Sequence, residues 1–141
     1  MILLDTNIIS EPLRSRADSI VRQWLDSQEQ RDLFLCAPVI AELHYGIARL
    51  PEGARRDRLT EWVRRVEEEE FLDRILPFDR SAAHEFGRVM TVRRRLGRRL
   101  GGPMDALIAA IALTHGALLA TRNVRDFEGL GLEIVNPFEL G

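Results

Sequence analysis

Four acidic residues, Asp5, Glu42, Asp105 and Asp126, stand where an α/β chain could bring their carboxylates together. Asp5 directly follows the apolar run Met1–Leu4. Glu42 falls early in a helix that follows a second apolar run, and Asp105 opens a strongly apolar helix after Gly101-Gly102-Pro103. Asp126 lies in the loop expected after a strand ending at Ala120. In open α/β sheets ligands bind beyond the carboxyl ends of the strands, and all four acids map to that edge. Taken singly, Glu42 and Asp105 are stabilising carboxylates at helix N-termini, worth about 0.3–1 kcal/mol each. Four acids converging on one edge would repel and raise one another's pKa, and a divalent cation relieves that repulsion. An all-oxygen donor set points to Mg²⁺, with Mn²⁺ as the other candidate, rather than zinc.

The remaining composition narrows the chemistry. The chain has no lysine, and all 20 of its cationic side chains are arginine, so Schiff-base and phosphate-loop lysine chemistry are excluded. The single cysteine, Cys36, lies in an apolar run and reads as a buried, inert thiol; alone, it excludes an intramolecular disulfide and fits a reducing cytoplasm. The three histidines, His44, His84 and His115, are scattered, and none is assigned to catalysis. The N-terminus meets a charge at Asp5, too early for a signal peptide, and no apolar stretch approaches the ~20 residues that span a membrane. A net charge of −2 means that any nucleic-acid partner must be held by a local patch.

The elements that would position the acids are legible as hydrophobic pattern. A length of 141 residues suits one domain, 1–141, without repeats or linkers. Continuous apolar runs predict buried parallel strands at Met1–Leu4, Leu33–Cys36, Ile75–Phe78, Ala117–Ala120 and Leu132–Val135. Helical spacing predicts helices over 18–28, capped by Asp18, and from Ala37-Pro38 to Leu50, closed by Pro51. Further helices are predicted over 55–70, over 81–96 and over 104–114, with a short turn at 8–11. The helix over 104–114 is apolar nearly all round, hence central, and His115-Gly116 supplies its stop. Alternating strands and helices imply an α/β domain with a mainly parallel sheet of about five strands.

The segments Met1-Ile2-Leu3-Leu4-Asp5-Thr6-Asn7-Ile8-Ile9-Ser10-Glu11-Pro12, Ala41-Glu42-Leu43, Pro103-Met104-Asp105-Ala106-Leu107-Ile108-Ala109 and Thr121-Arg122-Asn123-Val124-Arg125-Asp126-Phe127, with the closing Asn136-Pro137-Phe138, resemble the PIN-domain nucleases. Within those, the pattern is similar to the VapC and FitB toxins of bacterial type II toxin–antitoxin modules. Each motif alone is common; four in order at this spacing are specific. The resemblance implies a PIN-domain fold binding Mg²⁺, and often Mn²⁺, through Asp5 and Asp105, with Glu42 and a fourth acid around them. Relatives place that fourth group either at the position of Asn123 or at that of Asp126; here Asp126 is the expected acid and Asn123 contributes a hydrogen bond. The implied activity is endoribonuclease cleavage leaving a 5′-phosphate and a 3′-hydroxyl, with Glu42 or Asp126 orienting the attacking water. A homodimer is also implied, with a groove for a helical segment of a cognate antitoxin that can place a basic side chain among the carboxylates.

Other residues follow from position. Thr6 can hydrogen-bond a ligand carboxylate or a water, or simply cap a helix. Arg93, Arg94 and Arg95, continuing through Arg98 and Arg99 toward Gly101, are the expected RNA contacts, because guanidinium forks bind phosphate and stack on bases. Arg122 and Arg125 flank the fourth corner. Glu67–Glu70 reads as solvated surface, and Trp24 and Trp62 as core. Phosphotransferases of the haloacid dehalogenase type and receiver domains also place an Asp after the first strand, but both need a lysine that this chain lacks. The alternative is a catalytically weak PIN-fold module that binds nucleic acid or antitoxin in a regulatory complex; acids at all four corners argue against it.

Overall fold

The computed structural model describes residues 1–97 and 102–140. Arg98, Arg99 and Gly101 therefore lie outside the described residues.

The chain opens with β1 (Ile2–Leu4), α1 (Thr6–Ile9) and a 3₁₀ turn (Glu11–Leu13), then α2 (Ser19–Ser27) and a second 3₁₀ turn (Gln30–Asp32). β2 (Leu33–Cys36), α3 (Ala37–Ala48), α4 (Ala54–Arg65) and a π-helical turn (Val66–Glu70) follow. Next come β3 (Ile75–Leu76), α5 (Arg80–Arg95), α6 (Pro103–His115) and β4 (Leu118–Ala120). The chain ends with α7 (Val124–Phe127), β5 (Ile134–Val135) and a 3₁₀ turn (Pro137–Glu139). The strands pair in the order β3-β2-β1-β4-β5, and every pair is parallel.

β1 occupies the centre because it can be covered on both faces: Leu3 and Leu4 are fully buried. From β1 the chain builds outward through β2 and β3, then returns to place β4 on the other side of β1. This reversal creates a switch point at the carboxyl ends of β1 and β4, where such sheets leave a crevice. α6 packs beside it as the buried helix expected from its pattern; Ala106 and the run Ile108–Ala112 are sealed from solvent. It stops at Gly116, whose φ of 60° is the left-handed cap that glycine adopts without strain. Asp18 caps α2 through its side chain, accepting from the Ile20 and Val21 N–H groups. No helix among the described residues is long and apolar enough to cross a membrane.

Four expectations need correction. β3 stops at Leu76 rather than Phe78, because Pro77 has no N–H to continue the ladder. β5 begins at Ile134, although the Leu119 N–H still reaches the Glu133 carbonyl. The helix expected over 55–70 is α4 followed by the π turn, in which the Phe71 N–H bonds the Val66 carbonyl at 2.9 Å. That wider turn lets both Val66 and Phe71 enter the core. Asp126 lies in the short helix α7 rather than in a loop, held by the fully buried Phe127.

Candidate active site

Asp5 sits at the N-terminal cap of α1, immediately beyond β1, and is only 3% exposed. Its backbone N–H extends the sheet ladder to the Ala120 carbonyl at 2.9 Å, so its position is tied to β4 as well as to β1. The carboxylate is held at both oxygens. Oδ1 accepts the Thr6 N–H at 2.8 Å, and Oδ2 accepts the Thr121 hydroxyl at 2.7 Å and the Asn7 side-chain amide at 3.4 Å. Burial raises the Asp5 pKa and the charge of Asp126 adds to the rise, while these hydrogen bonds oppose it.

Glu42 is half-buried on the second turn of α3, one turn deeper than the start expected for it. Its Oε1 accepts the Thr6 hydroxyl at 2.9 Å. Thr6 thus links two acids, giving its backbone N–H to Asp5 and its hydroxyl to Glu42. Burial first and the Asp5 charge second push the Glu42 pKa up.

Asp105, in the first turn of α6, is pushed up to about 6 by burial, then by the charges of Asp5, Asp126 and Glu42. Only Arg93 pulls in the other direction among the named causes. The four expected acids therefore share one electrostatic field. Burial likewise pushes the Cys36 thiol up to about 12, with Asp5 and Glu42 adding to it, so that thiol is inert at neutral pH.

The PIN domain family model matches residues 2–131. The chain belongs to the PIN-domain family. It is similar to the VapC ribonuclease Y4jK of Sinorhizobium fredii, at 40% identity over 99% of each chain. It is also similar to the toxin FitB of Neisseria gonorrhoeae, at 37% identity over 98% of this chain and 99% of the relative. Among solved structures, FitAB bound to a DNA fragment matches with a TM-score of 0.93 and 36% identity, covering 100% of this chain and 98% of that one.

In this PIN domain the acids are coupled by charge rather than closed into a cage. Among the described residues, no three His, Cys, Asp or Glu side chains form a ready-made metal shell. The arginines expected as one RNA-binding run are separated by the helix period. Arg93 is 8% exposed and lies within the field of Asp105, whereas Arg94 and Arg95 face solvent. Arg125 and Asn123 line, with Asp126, an open cavity of about 560 Å³. The Arg122 guanidinium lies 4.7 Å from the centre of the Phe138 ring. His44 pairs with Glu67 at 2.8 Å on the surface, and His84 and His115 are exposed.

Two site residues were not singled out from sequence. Thr121 is fully buried and, besides donating to Asp5, accepts the Asn123 N–H at 3.0 Å. Asn7 donates to Asp5 and accepts the Arg122 N–H at 3.1 Å. The hydrogen bond that Asn123 brings to this network comes from its backbone. The available signal was positional: Thr121 follows β4 as Asp5 follows β1.

Proposed function

We propose that this chain is a divalent-metal-dependent endoribonuclease, the toxin of a type II toxin–antitoxin pair. The observation that carries the reading is the electrostatic coupling of Asp5, Glu42, Asp105 and Asp126 at the switch point of a parallel sheet. The names of its relatives, a VapC ribonuclease and the toxin FitB, support the activity. The similar FitAB, solved bound to a DNA fragment, supports a protein partner, which we take to be the antitoxin; a homodimer of this chain belongs to the same reading.

The donor set fits Mg²⁺ or Mn²⁺. It is built of oxygen alone, and its carboxylates have pKa values raised by burial and by one another's charge, which a cation would offset. Mg²⁺ characteristically takes one or two protein carboxylates and keeps several waters, so a closed cage of three acids is not required. Asp5 and Asp105 would hold the ion. When bound, it supplies Lewis acidity toward the phosphate and lowers the pKa of a water.

The chain's own residues do the rest. Thr121 and Thr6 fix the rotamer of Asp5, and Thr6 occupies Oε1 of Glu42. Oε2 of Glu42 would orient a water and accept its proton, a role suited to a carboxylate with a raised pKa, with Asp126 as the other candidate. Asp126 adds the fourth negative charge, and Arg93 limits the repulsion at Asp105.

Purified chain, incubated with RNA and Mn²⁺ and followed by end-mapping, tests this. Cleavage with 5′-phosphate ends that disappears in Asp5→Asn supports the reading. Intact RNA with the wild-type chain, or equal cleavage by Asp5→Asn, rejects it.

A further inference from the structure

Helix α4 sorts its arginines by face. Arg64 is engaged by three glutamates, at 2.8 Å to Glu61, 3.0 Å to Glu68 and 2.9 Å to Glu69. Arg55, Arg58 and Arg65 lie on a different face, at spacings of three and seven that align them with Trp62 between the last two. None of these three has an ion-pair partner among the described residues. Across from them stands Arg14, anchored by the buried Glu11 at 3.4 Å. These four guanidinium-bearing residues and the half-buried Trp62 line an open groove of about 750 Å³.

The groove does not end there. A second cavity, of about 260 Å³, shares Ser10, Leu13, Arg55, Leu59 and Trp62 with the first and reaches Thr6 and Glu42. A continuous path therefore runs from Thr6 and Glu42, past the apolar side chains of Leu43, Ile47 and Leu50, out along α4. From Arg55 to Arg65 it is about 15 Å long, at 1.5 Å per residue.

We propose that this groove carries the RNA strand that flanks the scissile phosphate, an inference that rests on the ribonuclease reading above. The arginines would neutralise phosphates, and the indole of Trp62 would offer a stacking face to a base, the combination that holds single strands without sequence readout. Two observations favour RNA over an acidic peptide. The path starts at Glu42, the acid proposed to orient the attacking water, and at its partner Thr6, and a chain of net charge −2 has to concentrate its attraction for a polyanion locally.

The test is fluorescence anisotropy of a labelled, mixed-sequence single-stranded RNA on the full chain in EDTA, where metal-dependent cleavage is prevented. The Arg55→Ala/Arg58→Ala variant should bind about tenfold more weakly. The slope of log affinity against log salt should fall by about 1.4, at ~0.7 for each phosphate no longer neutralised. Arg64→Ala removes the same kind of charge from the same helix and should stay within about twofold of wild type, since that arginine already faces carboxylates. In a Trp24→Phe background, RNA should quench the remaining Trp62 fluorescence. Circular dichroism confirms that each variant is folded.

Wild-type affinity and slope in Arg55→Ala/Arg58→Ala would overturn the proposal, as would an equal loss in Arg64→Ala. Unchanged RNA binding with lost binding of an acidic peptide would assign the groove to a protein partner instead. Because binding is read without metal, absence of cleavage would reject the ribonuclease reading separately from this one.

Discussion

The hydroxyl of Thr121, at the end of β4, donates to Oδ2 of Asp5, at the end of β1, over 2.7 Å and across 116 positions of sequence. The two residues flank the switch point of the sheet from its two sides. This contact, with the ladder bond from the Asp5 N–H to Ala120, makes the orientation of the carboxylate a property of the sheet rather than of a loop.

Thr121→Val keeps the shape of the side chain and removes the donor. It should destabilise the fold by about 1–3 kcal/mol, because a buried carboxylate loses a partner. Mn²⁺ affinity should fall as well, and Thr121→Ser should recover most of both losses. Calorimetric titration and urea unfolding of the two variants check this; equal behaviour of Val and Ser would show that the hydroxyl is not what positions Asp5.

The metal-free protein should become more stable as pH falls from 7.5 to 5. Asp105 is raised from 3.8 to about 6, so between those values the native state binds more protons than the unfolded one. Its stabilising contribution is present below pH 3.8 and is lost as pH rises through about 6. Asp5 and Glu42 are shifted in the same direction. Melting in EDTA across this range should therefore show a slope that flattens in Asp105→Asn; a slope unchanged by that substitution would remove Asp105 from the coupled set.

Asp105→Asn should also raise the metal-free melting temperature at pH 7.5 while abolishing RNA cleavage. Allowing for solvent screening of this partly exposed group, the gain is about 1 kcal/mol, on the order of 4 °C for a domain of this size. Scanning calorimetry beside a cleavage assay would read both effects. A variant that melts lower and still cuts would contradict the assignment.

Glu42→Gln separates proton transfer from folding. It keeps an oxygen that can accept the Thr6 hydroxyl but cannot take a proton from water, so cleavage should fall by about 10²–10⁴. Single-turnover rates at saturating Mn²⁺ test this, and a loss under threefold would move the proton-accepting role to Asp126.

Much of this was legible in the sequence because it depends on pattern at short range. The unbroken apolar run before Asp5 indicated a buried parallel strand, the all-round apolar Met104–Thr114 the buried helix, and Gly116 its stop. That the four acids gather at one sheet edge was legible from their order relative to the strands, although Glu42 lies one turn deeper in α3 than that order suggested. What was not legible depends on exact helical phase or on distant partners. The run Arg93–Arg95 looked uniform, yet Arg93 continues the inward stripe of Ala82 and Val89 while its neighbours turn outward. The four residues of α7 are too few to show a period, so Asp126 looked like a loop residue.

The central claim is that these carboxylates form one site for a divalent ion. Its most direct test is the melting temperature of the wild-type chain, Asp5→Asn and Asp105→Asn with and without millimolar Mn²⁺. A ligand bound only by the native state stabilises it, by about 2.7 kcal/mol at a hundred times its dissociation constant. The wild-type midpoint should rise by several degrees and those of both variants should stay put. An unmoved wild-type midpoint, or equal rises in all three proteins, would contradict the shared site.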